Sequence, residues 1–292
     1  MKPSLIALAA ACGFAVSTSL QHRAASGVPG PAGAVRLVLR LLATPLWLLG
    51  SALGLVAFAL HALALHLGAL ALVQPLMLCG VVLAVPVRAA LGRRLPHRSE
   101  LTAVSLTVLG LALFLSATRL TKGYADPSAD RAAAACAGVL AAFLLLIWLA
   151  ARQRVATRRA ALLGAASGVV FGAMAGLIKF VAHDVQVAGA WPALATWRPW
   201  VLLLAGLGAV TTNQRAFHAA RLAASMPILN VVNVLVAMAF GWIVFDEAPV
   251  RGPLSLAAQL GSAALVVAGL TWIARLEPAA PAQAPAPSRP AG

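Results

Sequence analysis

Apolar residues run for about the width of a bilayer, break at charge, proline or glycine, and resume, from one end of the chain to the other. A hydrocarbon layer about 30 Å thick is crossed by a helix of about 20 apolar residues. The breaks therefore predict nine helices: Ser4–Leu20, Pro45–Leu65, Gly68–Val87, Leu101–Ala117, Ala132–Ala150, Ala160–Val181, Trp200–Ala220, Ala223–Phe245 and Leu254–Ile273. The expected fold class is all-α, a polytopic membrane helical bundle of about nine transmembrane helices. The first run could pass for a signal peptide. Its n-region holds a single Lys2, however, and Gln21-His22-Arg23 follows it in place of a small-x-small cleavage site, so it reads as a retained helix.

Composition supports this pattern. Of 292 residues, 62% are hydrophobic and 10% charged, whereas soluble domains carry about 25% charged residues. Soluble enzymes, nucleic-acid modules and disulfide-rich secreted domains are excluded at this level. The formal charge of +15, from 22 Lys+Arg against 7 Asp+Glu, gathers in short loops, so no nucleic-acid partner is implied. Arg23, Arg36 and Arg40, then Arg88, Arg93, Arg94 and Arg98, then Arg152, Arg154, Arg158 and Arg159 fall on one side of the expected membrane. The other side has Lys2, then Arg119, Lys122 and Arg131 offset by Asp126 and Asp130, then Arg198 and Arg251. The positive-inside rule then places the N-terminus outside and the C-terminus in the cytoplasm, in a cytoplasmic (inner) membrane. Trp47, Trp148, Trp191, Trp197, Trp200 and Trp272 stand near span ends, as interfacial anchors do. Cys12, Cys79 and Cys136 fall in different apolar runs with no ligand spacing and read as buried thiols.

The two halves of the chain align. At one constant offset Ala64, His66, Leu70, Ala71, Pro75 and Leu83 meet Ala216, His218, Leu222, Ala223, Pro227 and Leu235, and the polar His61 meets Asn213. At a nearby offset Ala9, Gly13 and Ser17 meet Gly164, Gly168 and Gly172. The expected organisation is a first repeat over 1–131, a connector helix and basic loop over 132–159, a second repeat over 160–276 and a disordered Pro/Ala-rich tail over 277–292. An odd number of crossings between the repeats makes their topology inverted, a 4+1+4 arrangement typical of secondary transporters.

Few residues could carry chemistry. Gly164, Gly168, Gly172 and Gly176 form a small-residue face for close helix packing, expected against Ala9, Gly13 and Ser17 of the first helix, or a sliding surface between the halves. Thr211-Thr212-Asn213-Gln214-Arg215, followed by His218, is the densest polar break in any span, and Asn213 and Gln214 are candidates for a pathway lining. Arg215 lies within snorkelling reach of the cytoplasmic end, and Lys179 reads as a snorkelling residue at the outer end of its helix with Asp184 as a near partner. Asn230 and Asn233 share a helix face near the bilayer centre, as interhelical bonds or as substrate ligands. His61 and His66, the counterparts of Asn213 and His218 in the first repeat, could titrate near neutral pH, although a histidine near an interface is more often simply solvated. Asp184, Asp246 and Glu247 stand at span ends, leaving no carboxylate in a span interior. No catalytic spacing, phosphate loop or zinc sequence is present, so no enzyme, no cofactor and no metal site is expected.

The segments Leu65–Arg94, Ala160–Lys179 and Asn213–Glu247 resemble the drug/metabolite transporter superfamily (EamA-like), and within it the bacterial relatives of NIPA-type magnesium transporters. The resemblance implies about nine spans, an outside N-terminus and transport of a small-molecule substrate across the lipid bilayer. It also implies a membrane-embedded Glu-Pro in the penultimate helix, where this chain has Asn233-Val234, whereas Asp246-Glu247 matches the family's acidic helix end. That departure favours a neutral or organic solute over magnesium. A divalent-cation transporter is the alternative, and a non-transporting membrane scaffold the second alternative. The oligomeric state stands open, a homodimer included.

Overall fold

The computed structural model describes residues 2–26, 42–118, 129–219, 222–247 and 253–276, and every regular element among them is helical. Ten helices follow in chain order: α1 (Pro3–Ser26), α2 (Pro45–Leu67), α3 (Leu70–Leu91), α4 (Arg98–Ala117), α5 (Ala129–Arg152), α6 (Ala156–Ala188), α7 (Ala190–Ala195), α8 (Arg198–Ala219), α9 (Leu222–Phe245) and α10 (Pro253–Leu276). Eight of the described helices are long and apolar enough to cross a membrane. The exceptions are the six-residue α7, which the apolar pattern did not predict, and α8. At 22 residues α8 has the length of a span, but Arg198 and the run Thr211–Arg215 lower its hydropathy. Each of the nine expected segments overlaps one described helix, α8 included, and only α7 has no counterpart among them. Loop residues Arg36, Arg40, Arg119, Lys122, Asp126 and Arg251, and the tail from Glu277, lie outside the described residues.

Packing follows the small residues. α1 lies along α2 and α3, α6 lies along α8 and α9, and α4 pairs with α10. Between α1 and α2, a Cβ added to Gly13 would stand 2.9 Å from the Ala57 Cβ, and Ser17 Oγ donates to the Gly50 carbonyl at 2.7 Å. On the other flank of α1, a Cβ on Gly80 of α3 would stand 3.0 Å from the Ala11 carbonyl oxygen.

The glycine face of α6 meets α9, not the Ala9, Gly13 and Ser17 face of α1 as the sequence suggested. A Cβ on Gly164 would come 2.7 Å from the Ser225 carbonyl oxygen, on Gly168 2.5 Å from that of Leu229, and on Gly172 2.6 Å from that of Asn233; Gly176 faces the Phe240 ring. Such distances exclude any side chain, so the two backbones are in direct contact. The reason for the correction is that α1 has already spent its small face on Gly50, Gly54 and Ala57 of α2.

Buried residues concentrate at one end of the bundle. Ile6 of α1, Leu65 of α2, Leu70 and Val73 of α3, Ile178 of α6 and Val244 of α9 belong to one core cluster beside the two-residue connection between α2 and α3. The opposite end of the same helices is where space opens.

Candidate functional site

Four helices enclose a cavity of about 620 Å³. α1 contributes Phe14, Ala15, Thr18 and Ser19, α3 contributes Met77, Gly80, Val81, Ala84 and Arg88, α6 contributes Phe171, and α9 contributes Met226 and Asn230. From Met77 to Arg88 the helical rise is about 16 Å, half the thickness of the hydrocarbon layer. The cavity thus runs from mid-span to the end where α1 and α3 finish and α9 begins. Its deep part is lined by Phe14, Met77 and Phe171 and its mouth by hydroxyls and one guanidinium. Thr18 and Ser19 donate to the carbonyls of Phe14 (2.8 Å) and Ala15 (2.6 Å), which leaves their oxygens as acceptors. Asn230 Nδ2 donates to the Met226 carbonyl at 3.0 Å. Arg88 Nε donates to the Ala84 carbonyl at 3.2 Å, one turn deeper in α3.

Beyond the deep end the polar groups continue on buried side chains. The Phe14 ring meets the His61 ring edge-on, with centroids 6.4 Å apart. His61 Nε2 lies 3.3 Å from Nε2 of the buried Gln74, a pairing in which the amide donates and the ring nitrogen accepts. One turn further along α3, the Leu70 N–H donates to Glu247 Oε2 at 2.7 Å. Glu247 is 2% exposed and forms an ion pair with Lys179 of α6. Lys179 Nζ also donates to the Gly68 carbonyl at 3.2 Å and sits 4.6 Å above the Phe245 ring.

Local backbone explains how a residue beyond a helix end becomes buried. Asp246 takes a left-handed conformation (φ 56°), which Asp tolerates better than most residues. The chain then folds back, and the Glu247 N–H donates to the Gly241 carbonyl at 3.1 Å. Gly241 is required there, because a Cβ would come 2.7 Å from Glu247 Oε2. Ala69 gives α3 no side-chain cap, so the carboxylate of Glu247 satisfies an open amide at the positive end of that helix. Along α3, Leu70, Gln74, Met77, Val81, Ala84 and Arg88 recur every three or four residues and share one face. That face links the ion pair at one end of the bundle to the cavity mouth at the other.

The candidate residues separate on this geometry. Asn230 lines the cavity, and His61 stands directly behind its deep wall. Asn233 presents its backbone to the glycine face of α6, and its side-chain oxygen is buried without a hydrogen-bond partner. The side-chain oxygen of Asn213 is likewise buried and unpartnered, and Gln214 is exposed; neither is on the cavity wall. The side chain of His218 lies outside the described residues. His66 stacks on His183 at 6.0 Å, apart from this cavity. Lys179 is not paired with Asp184 as expected; Asp184 accepts from Arg198 at 2.6 Å instead. Arg88, read as a loop charge, and Gln74, not singled out, are the residues sequence reasoning missed. The signal for Gln74 was a lone amide inside an apolar run next to Pro75.

No family model matches the chain, and no solved structure matches it. The chain is similar to an uncharacterized protein of Corynebacterium glutamicum, 28% identical over 246 residues, which covers 83% of this chain and 84% of that protein.

Proposed function

We propose that this chain is an integral membrane secondary transporter of the drug/metabolite type, which moves a small organic solute by alternating access between two inverted repeats of four helices. The observation that carries this reading is the cavity itself: its walls come from α1 and α3 on one side and α6 and α9 on the other, and it occupies half the membrane depth while the other half is closed by packing and an ion pair. A volume of about 620 Å³ lies within the roughly 300–1,000 Å³ range of small-molecule sites. A scaffold protein has no need of such a space at the interface of its halves.

The repeat reading draws support from equivalent contacts. Gly13 of α1 abuts Ala57 of α2, and Ser167, next to Gly168 in α6, donates to the carbonyl of Ala209 in α8 at 2.9 Å. Ala57 and Ala209 correspond at the offset that aligns Pro75 with Pro227. The count of basic loops assigns the open end to the cytoplasm, so the conformation described is inward-facing. A dication finds little to hold it there: the cavity wall carries a guanidinium and no carboxylate, whereas magnesium is held by hard, charged oxygens.

Proteoliposome uptake, screened across organic metabolites and divalent cations, tests the proposal. Saturable uptake of an organic solute, reduced severalfold in Asn230→Ala, is the expected result. Saturable magnesium uptake would replace the organic-solute reading, and absence of all uptake by folded protein would favour the scaffold.

A further inference from the structure

We infer that His66 and His183 form a pH-sensitive catch on the closed end of the bundle: acid on that side charges both rings and parts α2 from α6. As regulation of the transport cycle proposed above, the catch rests on that reading.

The two imidazoles meet across the expected halves of the chain. His66 stands in the last turn of α2 and His183 on α6, with ring centroids 6.0 Å apart and planes inclined by 27°. Lys179 precedes His183 by four residues, one turn along the same helix face, and its Nζ donates to the Gly68 carbonyl, two residues beyond His66. Three nitrogen bases thus gather beside the connection between α2 and α3. The carboxylate of Glu247 is taken by Lys179 and the Leu70 amide, and that of Asp184 by Arg198 of α8. Among the described residues neither histidine is in ion-pair contact with a carboxylate. The other charges at this end are exposed Lys2 ahead of α1, exposed Asp130 and Arg131 at the start of α5, and Asp246 after α9; α3 and α7 bring none to it. Deeper on α2, His61 accepts from Gln74.

Protonation changes what the stack does. An imidazole takes up a proton between about pH 5 and 8. Neutral rings pack as flat surfaces, whereas two imidazolium rings at this spacing repel each other, with Lys179 beside them as a third cation. His66 also lines a cavity of about 270 Å³ between α2, α6 and α8, whose other walls, Phe58, Leu63, Ile178 and Val185 among them, are nearly all apolar. A charge there is poorly solvated while the end is closed. Parting α2 from α6 hydrates both rings and removes the repulsion. The closed state therefore binds fewer protons than the open one, and a fall in pH favours opening. The count of basic loops assigns this end to the outside, so external acid is the signal.

The test places spin labels at Leu67→Cys and Val187→Cys, both exposed, in a chain whose Cys12, Cys79 and Cys136 are replaced by alanine. Electron–electron double resonance in phosphatidylcholine nanodiscs then reads the separation of α2 and α6. The expected result is one dominant distance at about pH 7.5 and, at about pH 5.5, a longer one whose share rises severalfold. His66→Asn and His183→Asn should each weaken that response and the double variant abolish it, because an amide keeps a planar polar surface without taking up a proton. Elution and the distance at the higher pH should be unchanged in all three variants. A distance distribution indifferent to pH, or a response that survives in the double variant, overturns the catch. Saturable uptake in the metabolite screen would in that case leave the transporter reading standing. A pH-driven separation lost in the double variant, with no solute carried, would keep the opening of this end and remove transport as its purpose.

Discussion

At the scale of single residues the most consequential contact joins parts of the chain far apart in sequence. Glu247, 2% exposed, binds Lys179 of α6 and the first amide of α3, and so ties α6 to the start of α3 and the end of α9. Removing one partner of a buried ion pair leaves an uncompensated charge and costs about 3–5 kcal/mol, while replacing both can be nearly neutral. Lys179→Met and Glu247→Gln should therefore each lower the melting temperature of the detergent-solubilised protein, and the double variant should recover most of the loss, as read by size exclusion after heating. Additive losses would show that the two side chains are not coupled. This contact was not legible in the sequence. Both residues were visible as charges near span ends, but burial of Glu247 depends on the left-handed turn at Asp246 and on the missing side chain at Gly241, neither of which has a periodic signature. Gln74 and Arg88 were hidden for a related reason, since a polar residue in an apolar run gains meaning only when the face it belongs to is known.

Whole elements were easier to read than their partners. Long apolar runs bounded by charge located the helices because the membrane imposes one length on all of them. The runs underestimated α6, which extends from Ala156 to Ala188, beyond the apolar segment at both ends. The glycine face of α6 was legible as a packing face, yet nothing in it selects between two helices that can both come close. What decides is that α9 brings the backbones of Ser225, Leu229 and Asn233 into line with Gly164, Gly168 and Gly172, four residues apart on each helix. Because a Cβ at Gly168 or Gly172 would stand 2.5–2.6 Å from a carbonyl oxygen, even alanine should be costly there. Overpacking of this kind costs about 1–3 kcal/mol. Gly168→Ala and Gly172→Ala should lower thermal stability and uptake, whereas Gly138→Ala and Gly208→Ala, where nothing lies within 4 Å, should leave both unchanged. Equal behaviour of the four variants would remove the argument for direct backbone contact between α6 and α9.

For the molecule as a whole, the two ends differ: packing is closed at the end holding the α2 to α3 connection, and space opens at the end bearing the basic loops. Exposed Trp191, Trp197 and Trp200 flank the closed side and Trp148 and Trp272 the other, as side chains at membrane interfaces should. Single cysteines in a chain whose Cys12, Cys79 and Cys136 are replaced by alanine make that asymmetry measurable. Arg94→Cys and Gln153→Cys report the basic loops and Trp197→Cys the opposite side. In intact cells an impermeant thiol reagent should label Trp197→Cys alone; in inverted vesicles it should label the other two. Thr18→Cys, exposed on the cavity wall, should then behave like the basic loops, and Gln74→Cys, behind Phe14, should resist reagent from either side until a transported solute is added. Labelling of Arg94→Cys and Gln153→Cys from outside would reverse the orientation and make the cavity outward-facing. Labelling of Gln74→Cys that no solute alters would mean that the closed end does not open, and a bundle with one permanently closed end cannot alternate its access.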